Sequence, residues 1–219
     1  MKKFVVLFII VVLSWCVFAT GTAIGKAAPD KKVSLTKDNP INADMKDKSV
    51  TVLAEVNGKY FVQTTRHGIV FSGGKNGDKS VFKSFATHKD FYDGLIKIGL
   101  KPGNNLTMEN MEKTPVEGDL LDVTVSWKGA KKKAYSLDEV IIDSNKKPFQ
   151  IRFGGNLERA LKFNTGCILC LDSCPVGITS NAVYIHGAVE KRGEVTFKGD
   201  QNVLPPDGSL VFIKVKAKK

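Results

Sequence analysis

The chain has 219 residues, 42% of them apolar and 9% aromatic, which is enough for the core of one or two domains and excludes a disordered chain. Its formal net charge is +11, with the lysines dispersed rather than gathered into one block. No G-x-S-x-G or H-E-x-x-H run occurs, so neither a nucleophile-elbow hydrolase nor a zincin is supported.

The N-terminus reads as an export signal. Lys2 and Lys3 precede an unbroken apolar run over residues 4–13, and small residues follow at Ala19, Gly21 and Ala23. The run is short of the ~20 residues that a spanning helix needs, so a cleaved signal over residues 1–23 is preferred to an N-terminal anchor. Trp15 stands where a lipidated cysteine at Cys16 would need a small residue. The expected location is periplasmic or extracellular. In that setting the basic balance points to solubility and weak contact with an anionic membrane surface or an acidic partner, and not to nucleic acid.

Residues 24–48 are polar, rich in Lys and Asp, and without apolar period, as a flexible linker would be. Residues 49–219 then form the expected folded domain. Val50, Val52, Ala54 and Val56 alternate as in a strand, and Asn57-Gly58 predicts a hairpin into residues 59–65. Residues 67–72 and 79–86 read as two more strands. The glycine-rich stretch 73–78 between them lacks the spacing of a phosphate loop and reads as a hairpin turn. Thr87 caps a predicted helix whose inner face is Phe91, Leu95 and Ile98, with Gly99 closing it. Leu121, Val123, Val125 and Trp127 alternate on a strand, residues 134–143 on another, and 149–153 on a short one. Asn156 is placed to cap a second helix through about Phe163. Residues 183–186, 194–198 and 209–216 are late strands, the last entered from the turn at Pro205-Pro206-Asp207-Gly208. The expected fold is α+β: mostly antiparallel strands, about two helices, and a cysteine-bearing loop after the second helix.

That loop carries the chemistry. Cys167, Cys170, Cys174 and Pro175 read C-x2-C-x3-C-P, and the fourth cysteine of the chain, Cys16, lies in the signal. A bacterial ferredoxin run reads C-x2-C-x2-C-x3-C-P; laid over it, the first thiolate position falls on Asn164. Thiolates in this pattern suit an iron–sulfur cluster of the 4Fe-4S or 3Fe-4S type. The remaining position would be open or filled by His186, Asp172, Asn164 or water. Asp172 is read first as a turn residue bonding its own backbone. His67, His88 and His186 are read as surface or strand histidines.

Export runs against a pre-assembled cluster, because folded holoprotein travels by a twin-arginine signal and none is present. Two other readings therefore stand beside it. In one, Cys167 and Cys170 form a reactive thiol pair with Cys174 as third partner. In the other, the cysteines hold zinc or copper, or staple a non-catalytic binding module with a disulfide.

The run CILCLDSCPVGITSN at residues 167–181 resembles the YdjY-domain family, exported bacterial proteins often described as ferredoxin-like. The likeness extends to HKDFYDGLIKIGLKPG at residues 88–103, to Val125-Ser126-Trp127, and to the late Pro-Pro-Asp-Gly turn, covering about residues 67–216. It implies a redox or iron–sulfur role carried by Cys167, Cys170 and Cys174, with an unidentified redox partner, and no assigned catalytic residue.

Overall fold

The computed structural model describes residues 34–218, together with Met1. Its strands are β1 (Ile41–Asp44), β2 (Ser49–Val56), β3 (His67–Phe71), β4 (Ser80–Ser84), β5 (Leu120–Ser126), β6 (Tyr135–Ser136), β7 (Ile141–Asp143), β8 (Ile151–Arg152), β9 (Cys167–Cys170), β10 (Thr179–Asn181), β11 (Phe197–Gly199) and β12 (Leu210–Ala217). The helices are α1 (His88–Lys97), α2 (Leu137–Val140) and α3 (Leu157–Lys162).

The main sheet closes on itself. Its order runs β2-β12-β5-β8-β10-β9-β3-β4, and β4 pairs back onto β2, which makes a barrel of eight strands. Two neighbouring pairs, β3 with β4 and β9 with β10, are parallel; the other pairings around the barrel are antiparallel. This overturns the expected α+β class. The helices are short, at 10, 4 and 6 residues, and the structure is dominated by strand pairing that leaves the barrel without a free edge. The expected cysteine loop is also corrected: Cys167 and Cys170 lie on β9, and only Cys174 is in the turn that follows.

The longest strands hold the barrel together. In β2, Val50, Val52, Ala54 and Val56 are all fully buried, as the alternation predicts. β2 lies against β12 from Leu210↔Glu55 to Lys216↔Ser49, and β12 lies against β5 from Phe212↔Ser126 to Ala217↔Leu121. α1 packs against β1 and β2 with Phe91 and Leu95 buried. Its start is fixed by the Thr87 side chain, which accepts from the Asp90 amide at 3.0 Å.

Several local expectations fail for identifiable reasons. Asn57 is extended (φ −106°) rather than left-handed, so Asn57-Gly58 makes no hairpin; the chain enters a 3-10 turn over Gly58–Phe61, and the Gly58 amide donates to Asp207. The stretch 73–78 joins two parallel strands, so it is a crossover and not a hairpin turn. Residues 134–143 break at a capping box in which Ser136 and Glu139 satisfy each other's ends, giving α2 between β6 and β7. Residues 183–186 are turn, and β1 falls inside the stretch read as linker, paired with β2. The export signal lies outside the described residues.

Candidate functional site

In a regular strand, residues three apart point to opposite faces. Cys167 and Cys170 nevertheless share one small buried cluster with Cys174, Val70 and Val176. Two irregularities explain this. The pairing of β3 with β9 shifts between His67 and Ile69, and again between Ile69 and Val70. Such shifts re-aim side chains. They also set His67 opposite Cys170 and Val70 opposite Cys167. All three cysteines are free thiols, and none is more than 1% exposed.

The three sulfurs form a row in which Cys170 adjoins both Cys167 and Cys174. The central thiol is pushed well above its ordinary value, first by serving both neighbours and then by burial. The outer two go the other way. Cys167 is lowered to about 5, chiefly by the bond from Cys170 and then by His67. Cys174 is lowered well below its usual range by Cys170, His186 and the charge of Arg66.

Each end of the row has its own polar partners. At the Cys167 end, His67 Nδ1 lies 3.6 Å from the sulfur and the Asn76 amide donates to it at 3.7 Å. His67, Cys167 and Cys170 offer three donor atoms that all lie within 4.8 Å of one another. At the Cys174 end, Arg66 donates through Nε (3.0 Å) and Nη2 (2.6 Å) to Asp172 Oδ1, and Nη2 reaches His186 Nδ1 at 2.8 Å. The same Nδ1 lies 3.2 Å from the Ser173 carbonyl, so His186 is held between the guanidinium and the backbone. Burial lowers Arg66, but the charges of Cys174, Asp172 and Cys170 hold it above its ordinary value. Burial raises Asp172 against the opposing pull of Arg66, and the Gly187 amide donates to Oδ2 at 3.1 Å.

The turn after β9 is held from outside. Asn156, whose backbone is left-handed (φ 52°), does not cap α3 with its side chain; its Nδ2 donates instead to the carbonyls of Cys174 and Gly177. Arg159 Nε donates to the Pro175 carbonyl at 2.8 Å. The crossover 73–78 closes over the Cys167 end. Its Lys75 amide donates to the Asn164 carbonyl, and Gly74 packs so close to Gly166 that a Cβ on Gly74 would lie 2.6 Å from the Gly166 Cα.

The structure therefore brings together Cys167, Cys170 and Cys174 as the spacing suggests, and adds His67 beside them. Asp172 serves Arg66 through its side chain, and Asn164 stands in a turn with its carbonyl engaged by Lys75. His186 is at the Cys174 end, and His88 is on α1, buried without a hydrogen bond on either ring nitrogen. Arg66 and Asn76 carried no signal in the sequence, since nothing local marks a strand-entry arginine or a turn asparagine as facing a thiolate 91 or more residues away.

The sequence profile of the YdjY domain matches residues 41–216. This chain belongs to the YdjY family. A relative in Escherichia coli (strain K12), carried under the name "Uncharacterized protein YdjY", is 53% identical over 182 residues, spanning 83% of this chain and 80% of its own length. No solved structure matches the chain. The matched region of the YdjY domain contains the whole barrel and every residue of the sulfur row and its partners.

Proposed function

We propose that this YdjY domain is an exported redox or metal-binding protein whose working part is Cys167, Cys170 and Cys174, with His67 as the further donor. The observation that carries the reading is the convergence of His67, Cys167 and Cys170 within 4.8 Å, with Cys174 in the same buried cluster. Two or three sulfurs and an imidazole are a soft donor set suited to a single zinc or copper(I) ion. A cube or three-iron cluster spreads its thiolates beyond hydrogen-bond contact, so the row as it stands fits one ion better than a cluster. The chain's own part is to hold the donors together, to keep Asn76 and His67 against Cys167, and to balance the sulfur charge with Arg66.

A second reading rests on Cys170 touching both neighbours. Cys170 and either outer cysteine would form a disulfide by exchange with a partner disulfide, which is reduced to two thiols as theirs are oxidised.

Purification without oxygen, followed by metal analysis, a visible spectrum and a thiol count, decides between them. Bound zinc or copper near one equivalent is expected, falling about 10–100-fold in affinity in His67→Gln, a size typical of losing an ordering or ligating partner. Cys170→Ser should abolish binding. Iron with broad visible absorbance would instead favour a cluster. A metal-free protein whose thiol count rises with mild reductant would favour exchange. Mature N-terminal sequencing, with a start near residue 24, checks export.

A further inference from the structure

Each outer sulfur has a neutral or cationic side-chain partner of its own: Asn76 and His67 at Cys167, His186 at Cys174. Among the described residues, no hydrogen bond from a neutral or cationic side chain reaches the central one. Beside it lies Ser180, fully buried, whose hydroxyl has no hydrogen-bond partner. A buried hydroxyl left unpaired costs roughly 1–3 kcal/mol, so native structures rarely tolerate one without a use.

Its placement is specific. Ser180 is the direct partner of Cys170 across the parallel pairing of β10 with β9. Directly opposed residues on neighbouring strands share a face. The two side chains also meet at one spot. A Cβ built on Gly177 would lie 2.9 Å from Cys170 Sγ, 3.3 Å from Ser180 Oγ and 3.3 Å from Cys174 Cβ. The sulfur and the hydroxyl thus border the same bare glycine.

We propose that Ser180 is the positioning residue of the central sulfur. Its hydroxyl, unpaired in the empty row, stands where it can donate to the Cys170 sulfur when that sulfur holds a soft metal ion. Every sulfur of the loaded row then has a donor of its own. Hydrogen bonds of this kind orient a ligating sulfur and tune its affinity and potential. The inference rests on the metal reading of the row and deepens it.

The test is Ser180→Ala in the mature chain, with Ser180→Thr as the variant that keeps the hydroxyl. Zn²⁺ and Cu⁺ are each titrated without oxygen against a competing chelator, and thermal unfolding is followed with and without metal. Ser180→Ala should bind about 10–100-fold more weakly, the range for lost outer-sphere partners. Ser180→Thr should recover most of that loss. The metal-free form of Ser180→Ala should unfold at the wild-type temperature or above it, because an idle hydroxyl is removed. A merely structural serine gives the reverse: a less stable metal-free protein with unchanged affinity, and that result overturns the proposal. If wild-type protein retains neither ion, the metal reading itself fails and the role of Ser180 goes with it. If wild type binds and Ser180→Ala binds equally well, only the role of Ser180 is lost.

Discussion

Arg66 is the residue on which the charge of the site turns. Its side chain is 11% exposed, and it faces a fully buried carboxylate, a histidine nitrogen and two sulfurs. Replacing one member of a buried ion pair strands the other, at a cost of roughly 3–5 kcal/mol. Arg66→Met should therefore lower the unfolding free energy by that amount, read as a lower denaturant midpoint, with Asp172 left unpaired. The double variant Arg66→Met, Asp172→Asn should recover a substantial share, since the stranded charge is gone. Thiol alkylation at neutral pH separates this from simple unfolding: the Cys174 sulfur loses its nearby cation, so the folded double variant should react more slowly than wild type. Equal stability of the single variant and wild type would show that the pair carries no weight in the fold.

At the scale of elements, the site depends on a strand that does not alternate. β9 would send Cys167 and Cys170 to opposite sides of the sheet if its pairing with β3 were regular. This is why the sequence made the cysteines legible as a group but not their setting. The C-x2-C-x3-C-P spacing names the right sulfurs, yet the bulges that gather them arise from pairing with β3, a strand far away in the chain. α1 was readable because its signals are local: the apolar face lies within it, and Thr87 and Gly99 stand at its two ends. The class of fold was not, because closure rests on β2 meeting both β12 and β4, and no window of sequence contains that pairing. Asn57-Gly58 misled because its hairpin preference lost to the Asp207 side chain, which takes the Gly58 amide. The turn after β9 offers a test at this scale. Gly177→Ala puts a methyl group 2.9 Å from the Cys170 sulfur and 3.3 Å from the Cys174 Cβ. Overpacking of this kind costs ~1–3 kcal/mol. The expected result is a folded barrel of lower stability whose zinc affinity falls more than tenfold, although no donor atom has been removed. Unchanged affinity would mean that the contact between this turn and the row does not set the sulfur geometry.

At the scale of the whole molecule, the barrel has buried groups whose titration opposes folding in acid. His88, the first residue of α1, is 4% exposed and neither ring nitrogen has a hydrogen bond. Burial pulls its pKa below the ordinary histidine value, with Asp90 pulling the other way. The unfolded chain therefore binds a proton at higher pH than the folded one. Stability from a neutral His88 is complete above the unfolded value of about 6.5 and is lost as pH falls from there toward the lowered folded value. Cys167, lowered to about 5, acts in the same direction, its stabilising share being lost as pH falls through that value. The two are separable by comparison at fixed metal-free conditions. Between pH 7.5 and 5.5, wild type should lose stability in urea, and His88→Gln, which cannot titrate, should lose less. The same substitution should leave thiol reactivity at pH 7.5 unchanged, because α1 supplies no donor to the row. Parallel decline of the two proteins across that interval would show that His88 is protonated as readily folded as unfolded, and would assign the acid sensitivity to the sulfurs and carboxylates alone.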